Sequence, residues 1–146
     1  MQIETKAFED LSLQELYDVL QLRSEIFVVE QNCVYQDIDG KDDKALHVLG
    51  TENNQLVAYT RIFPPGIYFQ EAAIGRVIVK DTVRNKAFGH QILKASIEAI
   101  KEHFHTTRIK LSAQTYLIKF YESHGFVKIG DEYLEDGIPH IGMIRE

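Results

Sequence analysis

The chain lacks most of the features that would give a protein of this size an easy reading. It has 146 residues, no tryptophan, one cysteine and three prolines. Cys33 alone closes no internal disulfide, and no cluster of further cysteines accompanies it to build a zinc site. No run approaches the roughly 18 consecutive apolar residues of a membrane span. Positive charge is also scarce, with 16 Lys and Arg against 22 Asp and Glu for a formal net charge of -6. A protein held to DNA by its phosphates needs a basic face, so nucleic acid is not an expected partner. The first residues, MQIETKAFEDL, carry Glu4 and Glu9 and no apolar core, unlike a secretory signal. A soluble cytoplasmic domain is the expectation. Hydrophobic residues at 45% and charged residues at 26% supply an ordinary core and surface, in a length that suits one domain over 1–146.

Periodicity then sets out the elements. Ile3–Phe8 alternates as a strand. Ser12 and Glu15 stand at capping-box spacing before an apolar stripe of Leu13, Leu16, Tyr17, Leu20 and Phe27, predicting a helix that runs to near Glu30. Asn32–Asp43 reads as a solvated acidic loop. Strands are predicted at 45–51 and 56–63 around Asn53-Asn54, and at 73–79. After a polar loop, Phe88, Ile92, Leu93, Ile100 and Phe104 mark a long amphipathic helix. A short strand at 109–113, a short helix at 116–124 with Gly125 as its C-cap, and closing strands at 126–129 and 140–143 complete an α/β or α+β sheet covered by helices.

The segment from Val77 to His90 is a strand, a turn and a helix start. Amides at a helix N-terminus have no internal acceptors, and the helix dipole adds partial positive charge, so the turn suits a pyrophosphate. Arg84 and Lys86 add cations, and Ala87 and Gly89 leave room for close approach. Neither a Walker A sequence nor G-x-G-x-x-G is present, and a plain surface loop before a core helix is the competing reading. The acidic stretch Asp37-Ile38-Asp39-Gly40 fails the EF-hand pattern, because glycine comes fourth and Val48 stands twelfth. Its carboxylates could attract a cationic amine.

Arg84, Ala87 and Gly89, with Tyr121, Gly125 and Phe126, form a pattern that resembles the GNAT superfamily of acyl-CoA-dependent N-acyltransferases. Ala87 stands where glycine is usual. Longer stretches, Leu22–Cys33, Asp37–Gly40, Ala113-Gln114 and Glu135–His140, are similar to the ElaA-like subgroup. The resemblance implies a mixed, mostly antiparallel sheet with helices on both faces and two splayed parallel central strands, 73–79 and 109–113. It implies acetyl-CoA as cosubstrate, a primary amine on a small molecule or peptide as acceptor, direct attack in a ternary complex, and no metal. The backbone of Ile78 and Val79 would meet the pantetheine arm. The amides of Arg84, Asn85, Lys86, Ala87, Phe88, Gly89 and His90 would hold the pyrophosphate, and Gln114 would lie near the cosubstrate. Tyr121 takes the family's general-acid position, protonating the thiolate, although a core aromatic is the plainer reading. The general base stays open among Glu30, His47, His140 and water. A non-catalytic acyl-CoA-binding module is the alternative function, and monomer and homodimer both fit.

Overall fold

A computed structural model describes the backbone of residues 1–146 and every side chain except that of Asn85. Strand β1 (Gln2–Ala7) leads into helix α1 (Leu13–Arg23). The capping box forms: the Glu15 amide donates to Ser12 Oγ at 3.0 Å, and the Ser12 amide donates to Glu15 Oε1 at 2.9 Å. The helical path continues to Glu30, as its apolar stripe predicts, but residues Ser24–Glu30 widen into a π-helical turn. That turn closes with the Cys33 amide bonded to the Val28 carbonyl five residues back. Wide turns of this kind commonly sit at functional sites.

Strands β2 (Leu46–Glu52), β3 (Gln55–Phe63) and β4 (Ala72–Val79) follow as an antiparallel run. Helix α2 (Phe88–Phe104) crosses to β5 (Ile109–Gln114), and α3 (Ile118–Glu122) precedes the hairpin β6 (Val127–Glu135) and β7 (Ile138–Arg145). Both hairpin strands run longer than the sequence pattern indicates; β6 is the edge strand and is exposed along nearly all of its length, so burial imposes no alternation on it. The sheet order is β1-β2-β3-β4-β5-β7-β6, with β4 and β5 its one parallel pair. This is the mixed sheet with two central parallel strands.

The helices cover opposite faces. Val48, Ala58 and Ile62 pack with Ile92, Leu93 and Ile100 of α2, and Tyr121 and Phe126 join the same cluster. The alternate residues Leu49 and Tyr59 pack with Val19, Leu22 and Ile26 on the other side. Successive side chains of a strand point to opposite faces, so one sheet buries two apolar layers.

The acidic loop is exposed along much of its length, but two of its carboxylates are not solvated. Asp37 and Asp42 are buried, together with Arg23 and Arg61. Arg23 Nε donates to Asp37 at 2.9 Å and its Nη1 to Asp42 at 2.8 Å. Arg61 Nη1 bonds both Asp39 and Asp42, at 2.8 and 2.9 Å, and Arg76 Nε reaches Asp37 at 2.8 Å. Three arginines thus face three aspartates. Buried charge persists where partners and hydrogen bonds satisfy it. With their carboxylates already paired to this chain's own cations, Asp37 and Asp39 have no uncompensated charge with which to draw in an acceptor.

Candidate active site

The site begins where the sheet comes apart. Strands β4 and β5 pair only at Ala72–Ile109 and Ala73–Lys110, and then diverge. A bulge contributes: Arg61 faces Gly75 and Tyr59 faces Ile78, so Thr60 opposes both Arg76 and Val77, and Arg76 takes a left-handed φ of 51°. Bulges bend the strand that carries them and recur beside active sites.

Pairing with β3 decides which backbone groups face the gap. The Lys80 amide donates to the Val57 carbonyl at 2.8 Å, toward β3. Alternation then turns the N–H and C=O of Val79 toward the gap, while Ile78 is paired with Tyr59. Val79 therefore presents both groups to the gap, its carbonyl already accepting from Arg84 Nε at 3.1 Å, and Ile78 serves as wall.

Two cavities meet at the gap. One, of about 390 Å³, runs from Val79 and Gly89 to Phe120. The other, of about 450 Å³, lies against Tyr35, Arg76 and His140. Phe27, Gln31, Val77, Gln114, Leu117 and Tyr121 line both. The Gln31 amide donates to Gln114 Oε1 at 3.3 Å, tying the π-helical turn to the end of β5.

Tyr121 sits at this junction with 4% of its surface exposed. Among the described residues its hydroxyl has no hydrogen-bond partner, and burial, aided by Tyr116, pushes its pKa above the ordinary phenol value. The ring is buried while the residue lines both cavities, so the hydroxyl is open to whatever fills them.

The turn before α2 has the shape that an anion site needs. Residues Asp81–Lys86 form a 3₁₀ turn, and Ala87 adopts φ 59° and ψ 22°. That left-handed conformation explains why glycine is usual there. An L-residue holds it at a cost of about 1–2 kcal/mol, with the backbone shape kept. The first bond of α2 runs from the Gln91 amide to the Ala87 carbonyl, leaving the amides of Phe88, Gly89 and His90 without backbone acceptors among the described residues. A Cβ on Gly89 would lie 3.5 Å from the Phe120 ring and 3.6 Å from Val79, so the backbone approaches the cavity closely.

The side chains of the turn divide by role. Arg84 lies across the cleft: its Nε donates to the Val79 carbonyl at 3.1 Å, and its Nη atoms hold both oxygens of Glu30 at 3.0 and 2.6 Å. Lys86 turns to Glu52 at 3.2 Å and lines neither cavity. The Phe88 ring is buried with Val57 and Val83, anchoring the helix start. The His90 imidazole packs on Phe120 and meets His124 at 2.8 Å between ring nitrogens. The side chain of Asn85 lies outside the described residues.

Of the alternatives for the base, His47 is fully buried, with its ring nitrogens bonded to Tyr59 at 2.5 Å and to the Asp42 carbonyl at 2.9 Å. Burial holds its pKa below the ordinary value. It lines neither cavity. Glu30 is on the Arg84 side, and His140 lies in the second cavity. The sequence reading missed that second wall. Its visible signal is arginine within apolar strands, at Arg61 and Arg76, which the loop aspartates explain. Among the described residues no group of three or more His, Cys, Asp or Glu side chains is placed to hold a metal.

A sheet opened between two parallel strands, a helix N-terminus at one end of the opening and a second cavity at the other define an acyl-CoA-dependent acyltransferase. Residues 9–146 match the family model for an acetyltransferase (GNAT) domain, and the chain belongs to that family of N-acetyltransferases. Within it, the chain is 46% identical to protein ElaA of Escherichia coli over 139 residues, covering 94% of this chain and 91% of that one. The crystal structure of E. coli ElaA superposes with a TM-score of 0.93 at 43% identity, covering 99% of each chain. An acyl-CoA N-acyltransferase from Pseudomonas aeruginosa gives 0.93 at 40% identity, covering 100% of each. The substrates of this family are an acyl-CoA and an acceptor.

Proposed function

We propose that the enzyme moves an acetyl group from acetyl-CoA to a primary amine of a small molecule or peptide, within one ternary complex. The observation that carries this reading is Tyr121: a buried ring at the junction of the two cavities, its hydroxyl without a protein partner among the described residues. The turn and first helical amides at 84–90 suit the pyrophosphate, and the gap-facing groups of Val79 suit the pantetheine, as an added strand would.

Acetyl-CoA supplies the acetyl group as a thioester with a thiolate leaving group. The Val79 N–H points into the gap and can stabilise charge developing on the carbonyl oxygen. Tyr121 protonates the departing sulfur. At ordinary values near 10 for phenol and 8.5 for thiol this transfer is uphill by about 2 kcal/mol. Burial raises the phenol further, but it raises the thiol in the same dry junction too, so the gap between them stays small. The left-handed Ala87 keeps the turn in shape without glycine, which favours acyl-CoA binding whether or not the module is catalytic. A cytoplasmic location, with monomer or homodimer, fits the composition; no helix is long and apolar enough to cross a membrane.

Calorimetric titration with acetyl-CoA, against ATP as control, tests the cosubstrate, and thiol release in an amine screen tests the reaction. Tyr121→Phe is expected to keep acetyl-CoA binding within about twofold and to lower turnover by 10²-fold or more, the usual scale of acid–base catalysis. Binding of ATP in preference to acetyl-CoA, or full turnover by the variant, would refute the assignment.

A further inference from the structure

An amine acceptor is an ammonium at neutral pH, and some group must take its proton before nitrogen can attack. The structure separates the alternatives for that base. His47 is sealed in the core with its ring nitrogens engaged. Glu30 is held by both terminal nitrogens of Arg84, beside the phosphate turn. His140 lines the cavity on the other side of Tyr121.

Its setting is built. His140 pairs in register with Gln114 on β5 and with Tyr133 on β6, so three side chains form a row on one face. The imidazole stacks on the Tyr133 ring at 6.2 Å and 19°, and the Tyr133 hydroxyl is fixed by Ser112. Nδ1 lies 2.7 Å from the Ile138 carbonyl. A carbonyl only accepts, so Nδ1 carries the hydrogen and Nε2 is the basic atom. Nε2 stands 3.3 Å from Glu135 Oε2, on a side chain 50% exposed. The other charged groups on the cavity wall are Asp39 and Lys41 of the loop, Arg76 of β4 and Asp136 of the hairpin turn. Asp39 and Arg76 are committed to the buried ion pairs.

We propose that His140 is the general base for the acceptor amine, with Glu135 as the residue that positions the ring and passes the proton outward. The proposal rests on the acetyltransfer reading. His140 Nε2 takes one proton from the ammonium, and Nδ1–H stays on the Ile138 carbonyl. The neutral nitrogen forms the C–N bond as the C–S bond breaks. Its second proton balances the one that Tyr121 gives the sulfur. The net proton leaves through His140 to Glu135, 3.3 Å from Nε2, and on to solvent.

The test measures thiol release from acetyl-CoA, above the uncatalysed rate, with two probes: n-butylamine, an ammonium at pH 7, and hydroxylamine, neutral at pH 7. His140→Gln should lose 10²–10⁴-fold in kcat/KM on butylamine, the range for a lost general base, and less than tenfold on hydroxylamine. Its acetyl-CoA affinity should stay within twofold by calorimetry. Glu135→Gln, a mild surface change, decides independently of whether the histidine variant folds. It should lower kcat on butylamine several-fold with KM within about twofold, and leave turnover of hydroxylamine unchanged. Equal losses on both probes in His140→Gln, or wild-type turnover of butylamine in Glu135→Gln, overturn the proposal. A wild-type enzyme that binds acetyl-CoA but transfers to neither probe refutes the acetyltransfer reading, and the base with it.

Discussion

Replacing Asp42 with asparagine should cost this fold about 3 kcal/mol, within the range for a broken buried ion pair. Asp42 is 8% exposed, so solvent screens little of its charge. Its Oδ1 accepts from Arg23 at 2.8 Å and from Arg61 at 2.9 Å. Each hydrogen bond to a charged group contributes about 1.5–3 kcal/mol. Asparagine keeps an acceptor oxygen in nearly the same place, so the loss is a part of that sum. It leaves three arginines facing two carboxylates, and the excess charge stays buried. At roughly 3 °C per kcal/mol for a chain of this size, the midpoint should fall by about 9 °C in a circular-dichroism melt at pH 7.

The same experiment has a pH arm. Burial alone would raise the Asp42 carboxyl, but hydrogen bonds and charge from Arg23 and Arg61 outweigh it and hold the group below its ordinary value. The Arg61 hydrogen bond does the same for Asp39 against a smaller burial effect. A depressed carboxyl contributes stability that is complete above its unfolded pKa near 3.9 and is lost as pH falls through the folded value. The wild-type midpoint should therefore drop steeply below about pH 4, and the Asp42→Asn curve should be shallower. A variant melting within 2 °C of wild type at pH 7, on the scale of about 3 °C per kcal/mol, refutes the argument that this network holds the loop.

Three further outcomes follow from the site. Glu30→Gln removes the carboxylate that occupies Arg84, so calorimetry should show acetyl-CoA binding several-fold tighter; stability should move by less than about 1 kcal/mol, as the pair is at the surface and partly exposed. Weaker binding would mean that Glu30 positions Arg84 for the ligand. Ala87→Gly relieves a left-handed alanine worth about 1–2 kcal/mol, less about 0.5–1 kcal/mol of added freedom in the unfolded chain. A urea midpoint slightly above wild type is expected, and a destabilised variant would show that the alanine methyl packs. Arg23→Met should be as damaging as Asp42→Asn or worse in the same melt, because it takes one of two arginine partners from both Asp37 and Asp42; an unchanged midpoint counts against the buried pairing.

Local signals account for the parts of the molecule that could be read from the chain. Ser12 and Glu15 are three residues apart, and their mutual cap needs nothing else. The apolar stripe of α2 fixes both its length and its buried face. The strand–turn–helix at 77–90 and the Tyr121–Phe126 stretch carry the family resemblance, so the fold and the family were legible in advance. Ala87 was visible as a departure from glycine, and the backbone angle shows why the departure is tolerated.

Other features were decided by partners distant in sequence. Nothing near Asp37 or Asp42 announces that they are buried, since Arg23, Arg61 and Arg76 come from three separate elements. Nothing near His140 separates it from His47 or Glu30 as a base, since the difference is which cavity, core or arginine each one meets. The sequence by itself determined most of the elements and the strand–turn–helix at 77–90, because hydrophobic period, capping and turn chemistry act within a few residues. Only the tertiary structure decided which charges are buried, where the strands part and which side chains share a cavity. Those outcomes depend on contacts between residues tens of positions apart, which a linear pattern does not record.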